Sequence, residues 1–168
     1  MTRARAAAGS LVFLLLAPGV VAGLVPWLLT DWSVDDSFAW PPLQIAGALL
    51  VLAGTAVLLH AFARFVVEGL GTPAPLAPPE QLVVGGLYRH VRNPMYVAVA
   101  STIIGQALLF GRPVLLAYAA LFMAVVAAFV RWYEEPALTE RFGDQYTTYR
   151  RAVPAWHPRL QPWRAENS

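Results

Sequence analysis

The chain contains no cysteine. Disulfides, thiolate metal sites and cysteine nucleophiles are excluded with it, and cysteine usage says nothing about redox compartment. It contains no lysine: all 12 cationic residues are arginine. A GC-rich genome accounts for that choice more simply than a function does. Charge is scarce altogether, at 13% of residues and a net +2. With no basic patch interleaved with aromatics, nucleic acid is excluded as a partner. The glycine-rich fingerprint of a Rossmann dinucleotide site is missing too.

Apolar residues are abundant, 58% of the 168. Soluble domains run near 45–50% apolar and about 25% charged. That shift, with a positive mean hydropathy, predicts an all-α integral membrane protein of one domain.

Four apolar segments set the expected architecture of about four transmembrane helices. Leu11 to Leu29, 19 residues, is long enough to span ~30 Å of hydrocarbon. Arg3 and Arg5 precede it as in a signal peptide. The run is long for that role, and it continues past Ala22-Gly23-Leu24, a poor cleavage site, so a retained helix kinked by Pro18 and Pro26 is expected. Pro41-Pro42 opens the second helix, whose apolar part runs from Leu43 to Val67. At its end His60, Arg64 and Glu68 share a face at spacings of four. Such a stripe suits a snorkelling helix end or a cavity lining. Met95 to Phe110 and Val114 to Val130 form a hairpin across the short turn Gly111-Arg112-Pro113.

The expected division is an N-terminal helix pair over 1–68, a cytoplasmic cofactor-binding loop over 69–94, a helical hairpin over 95–130, and a cytoplasmic amphipathic helix and tail over 131–168. In the tail, Leu138, Phe142, Tyr146 and Tyr149 recur at helical spacing, interrupted by Gly143. With four crossings, only Arg112 of the 12 arginines falls opposite the others. The positive-inside rule then places both termini in the cytoplasm, of a bacterial inner membrane if the source is bacterial.

Two polar clusters stand at the base of the hairpin: Gly85 to Tyr96, and Arg131-Trp132-Tyr133-Glu134-Glu135. Antiparallel helices bring them to one membrane face. Adjacent helical residues point about 100° apart, so one of Glu134 and Glu135 can face a cavity while the other pairs elsewhere, Arg131 being in reach of Glu135. Gly85-Gly86 would let backbone approach a ligand closely. Such parts suit a zwitterionic ligand with a ring: a carboxylate for its cation, Arg for its carboxylate, aromatics for its ring.

The pattern Leu82-Val83, Gly86, Tyr88, Arg92-Asn93-Pro94 and Tyr96, followed by Glu134-Glu135, Leu138, Phe142-Gly143, Tyr146, Tyr149 and Val153-Pro154, resembles the isoprenylcysteine carboxyl methyltransferase family. The related phospholipid N-methyltransferases share much of it. The resemblance spans roughly residues 80–158. It implies an integral membrane methyltransferase using S-adenosyl-L-methionine, with a lipid bilayer and a lipophilic small molecule or lipid as partners. It implies cofactor contacts from Gln81, Leu82, Val83, Tyr88, Arg92, Asn93, Pro94, Met95, Tyr96 and Glu134, and catalytic candidates Arg131, Glu134 and Glu135. Arg131 stands one residue out of the family's register, and Asn93 replaces a frequent histidine. No metal site is implied. The methyl acceptor (carboxylate, amine or thiol) stays open, as does oligomeric state. Two other readings remain: an NADPH-dependent membrane reductase of related architecture, and a non-enzymatic bundle with an interfacial girdle.

Overall fold

Two prolines and the turns ahead of them shape the long helices. In the computed structural model, which describes residues 11–38, 40–64 and 81–164, the described residues form helices and irregular segments without a strand. Arg3, Arg5, Glu68, Glu80 and the proline-rich stretch 69–79 lie outside the described residues. Helix α1 covers Leu11–Thr30 and contains a π turn at Val20–Leu24. There the Val25 amide donates to Val20 instead of Val21. Pro26, two residues on, has no N–H for the carbonyl of Ala22. Both bypassed carbonyls find side chains: the Gln106 amide donates to Ala22 at 2.7 Å and the Tyr118 hydroxyl to Val21 at 2.9 Å. In hydrocarbon no water could do this, so the kink also docks α1 onto the hairpin.

The other helices are α2 (Pro41–Arg64), α3 (Pro94–Phe110), α4 (Val114–Phe129) and α5 (Glu135–Ala152). Helices α2 and α3 pack antiparallel at very close range. A Cβ on Gly47 would stand 2.5 Å from the Gly105 carbonyl, and one on Gly54 would stand 2.5 Å from Thr102 Oγ1. Small residues permit this where lipid gives helices little hydrophobic reason to associate. Gly111, with φ +62°, caps α3 and turns the chain into α4. Leu58, Phe62, Val99, Ile103 and Leu115 fill the space between helices, while Leu15, Leu16, Ile45, Leu49 and Leu52 face outward. Helices α1, α2 and the long helix starting at Val114 are long and apolar enough to cross a membrane. At 17 residues, α3 is shorter, reaching roughly 26 Å at 1.5 Å per residue.

A second π turn, Val130–Glu134, joins α4 to α5 without a break. It too ends two residues before a proline, Pro136. Helix α5 bends at Gly143, whose φ of 52° and ψ of −126° are not helical. The tail then runs back antiparallel along the loop before α3. The carbonyl of Pro154 accepts from the Arg92 amide, that of His90 from Arg159, and that of Arg89 from Trp163, each at 2.9 Å.

Candidate functional site

Asn93 stands outside the α region, at φ −118° and ψ 55°, as the residue before Pro94 is expected to, and Pro94 starts α3 where no amide is needed. The Asn93 amide donates to the Ala155 carbonyl at 3.2 Å, so the tail fixes the head of α3. Tyr149 ties the same loop from α5, its hydroxyl donating to the Tyr88 carbonyl at 2.7 Å. Helix α5 lies past the apolar crossing. Burial pushes the hydroxyls of Tyr146 and Tyr149 above the ordinary tyrosine range, which keeps both neutral, Tyr149 as a donor to Tyr88 and Tyr146 as an acceptor from Arg92.

The adjacent acids separate sharply. Glu135 is buried and closed in by two ion pairs, with Arg92 Nη1 at 2.7 Å and Arg150 Nη2 at 3.1 Å. Its partners come from a loop and a distant turn of α5, whereas the sequence suggested Arg131; the π turn, which advances the helix by an extra residue per turn, breaks the simple four-residue register. Arg92 Nη1 also donates to the Tyr146 hydroxyl at 3.2 Å. Glu134 points the other way. The Tyr96 hydroxyl donates to its Oε2 at 3.1 Å, and both line a cavity of about 140 Å³.

That cavity has two characters. Tyr88, Arg92, Asn93, Tyr96 and Glu134 form its polar part, with Pro94 and Met95 between. Phe13, Ala17, Pro18 and Val21 of α1, with Phe62 and Phe122, form an apolar wall. Arg92 Nε is buried and has no hydrogen-bond partner among the described residues.

Of the residues singled out by sequence, seven therefore meet at the cavity. Gln81 is exposed and outside its lining. Val83 packs beside Tyr88 and Ala61, and Leu82 against Tyr146, Tyr149 and Val153. Arg131 is exposed and, like Glu135, does not line the cavity. Gly86 has φ +56°, and a Cβ there would meet His60 Nε2 at 3.0 Å and Arg64 Nε at 3.1 Å. The left-handed backbone is what favours glycine here, and the missing Cβ leaves room for the side-chain ends of His60 and Arg64. The α1 wall was not foreseen. Its trace in the sequence is the pair Pro18 and Pro26, which mark a helix that must bend.

A family model described as phospholipid methyltransferase matches residues 43–145. The chain belongs to the phospholipid methyltransferase family. A comparison with curated proteins returned no match. Family membership and the apolar helices make the protein an integral membrane methyltransferase. The matched segment carries Tyr88 to Tyr96, Phe122 and Glu134; α1 lies before it.

Proposed function

We propose that the protein transfers a methyl group from S-adenosyl-L-methionine to a lipophilic or membrane-partitioned acceptor, at the cavity between α1, α3 and the second π turn. The observation that carries this reading is the Glu134 carboxylate, held by Tyr96 and facing a cavity at the base of the hairpin, within the family-matched segment.

The chemistry of the lining suits this cofactor. Glu134 offers a carboxylate to a cationic group, and the open Nε of Arg92 can donate to a carboxylate. The faces of Tyr88 and Tyr96 suit a sulfonium or a ring. A dry apolar cavity of ~150 Å³ accepts a guest the size of benzene. The cavity, of about 140 Å³ and open at its mouth, therefore takes one end of such a cofactor, the rest reaching beyond it.

When bound, S-adenosyl-L-methionine supplies a methyl already activated on sulfur. What remains for the protein is binding, orientation and exclusion of water. Glu134 would attract positive charge and, for an amine acceptor, take its proton. Glu135 acts as a positioning residue, holding Arg92 at the cavity. Asn93 and the tail fix the head of α3. The crowding of arginines at this end supports a cytoplasm-facing site with both termini on that side.

The test is calorimetric titration of detergent-purified protein with S-adenosylhomocysteine. Glu134→Gln should weaken binding at least tenfold, while Glu140→Gln, exposed on α5, should leave it unchanged. Equal effects would take Glu134 out of the site.

A further inference from the structure

The tail after α5 carries two tryptophans that each pack on a different tyrosine. Trp163 meets Tyr149 at 5.4 Å between ring centroids, in the apolar cluster with Val153 and Leu82, none of which lines the cavity. Trp156 meets Tyr96 at 6.5 Å, the rings inclined by 43°. Tyr96 does line the cavity, and its hydroxyl donates to Glu134. Both distances lie where aromatic pairs attract beyond simple burial.

The backbone of Trp156 is held from both sides. Before it, the Pro154 carbonyl accepts from the Arg92 amide at 2.9 Å, and the Ala155 carbonyl from the Asn93 side chain at 3.2 Å. After it, the Arg159 amide donates to the His90 carbonyl, and the Arg159 carbonyl accepts from His90 Nδ1, each at 2.9 Å. The tail is thus tied to the loop that carries Arg92 and Asn93, and it brings an indole to the first turn of α3. A tyrosine ring swings among staggered χ1 settings. A second ring packed beside it blocks some of them.

We infer that Trp156 is a positioning residue for the site. Its indole holds the Tyr96 ring where the hydroxyl reaches Glu134, and so keeps the carboxylate aimed into the cavity. This rests on the proposed role of Glu134 in cofactor binding and adds a support for it. Trp156 lies outside the family-matched residues 43–145.

The first test is calorimetric titration of the detergent-purified full chain with S-adenosylhomocysteine. Trp156→Ala should weaken binding about fivefold, and Trp156→Phe, which keeps a ring, should restore most of it. Trp163→Ala, which removes an indole from the same tail, should cost less than about twofold. Repeated in Tyr96→Phe protein, where the hydroxyl is already gone, Trp156→Ala should also cost less than about twofold. An undiminished penalty there, or an equal one from Trp163→Ala, would overturn the inference.

A second readout needs no cofactor. Fluorotyrosine at position 96 senses Glu134 through its fluorine NMR shift. Glu134→Gln should move that resonance when Trp156 is present and leave it in place in Trp156→Ala. An equal move in both backgrounds would overturn the inference. If Trp156→Ala fails to fold, Trp156→Leu, which keeps an apolar body without the ring, replaces it in both experiments. S-adenosylhomocysteine binding without this dependence on Trp156 sinks the inference alone. The dependence in a protein that binds no S-adenosylhomocysteine sinks the methyl-transfer reading and leaves Trp156 as the support of Glu134.

Discussion

The two ends of the helix bundle each gather polar groups, and they differ in what is left over. Where α3 turns into α4, Arg112 donates through Nε to the Ser33 carbonyl at 2.9 Å and through a second nitrogen to the Ser33 hydroxyl. The Asp35 amide donates to the Phe110 carbonyl at 2.9 Å. The Trp32 indole donates to Gln106 Oε1 at 3.1 Å, while the Gln106 amide serves α1. This network closes on itself. At the other end Arg92, Glu135, Arg150 and Tyr146 also close a network, yet Arg92 Nε has no partner among the described residues, and Glu134 faces a cavity. In a membrane protein, polar groups that satisfy one another hold helices together. Polar groups with bonding capacity left, beside empty space, mark where a ligand belongs.

That contrast can be broken at four points. The largest effect is expected at Glu135. Glu135→Leu strands Arg92 in a buried site, and breaking a buried ion pair from one side costs about 3 kcal/mol or more; the thermal midpoint in detergent should fall steeply. Gln106→Leu leaves the Ala22 carbonyl and the Trp32 indole without partners inside the bundle. A loss of about 2 kcal/mol is expected, with S-adenosylhomocysteine affinity reduced less than by Glu134→Gln, because Gln106 acts on the cavity only through α1. Glu134→Gln should cost about 1.4 kcal/mol of S-adenosylhomocysteine binding, the tenfold change above, with little change in midpoint. Arg112→Gln touches a half-exposed pair whose ions stand 3.8 Å apart. Its midpoint shift should correspond to at most about 0.5 kcal/mol. A stability loss from Glu134→Gln matching that from Glu135→Leu would erase the distinction between the two acids.

Much of this arrangement was legible in the sequence. Run lengths and the Gly111-Arg112-Pro113 turn predict the hairpin, and the hairpin brings Tyr96 to Glu134. Asn93-Pro94 and Pro41-Pro42 mark helix starts that the structure shows. Helical spacing alone did not tell which acid faces the cavity; the family resemblance pointed to Glu134, which lines it. A regular helix puts Arg131 four residues before Glu135, and only the π turn ahead of Pro136 re-aims the side chains. The α1 wall was hidden for a related reason. Phe13, Ala17 and Val21 sit in a uniformly apolar run with no periodicity to tell a lined face from a lipid face. Their orientation follows from two carbonyls, on Val21 and Ala22, that Tyr118 and Gln106 capture from far along the chain. Gly47, Gly54 and Gly105 likewise acquire meaning only once α2 and α3 are seen to touch.

The most direct test of the account is titration of the detergent-solubilised wild-type protein with S-adenosylhomocysteine, with NADPH run in parallel. The account predicts saturable binding of S-adenosylhomocysteine and none of NADPH. Binding of NADPH alone, or of neither ligand to a folded sample, would contradict it.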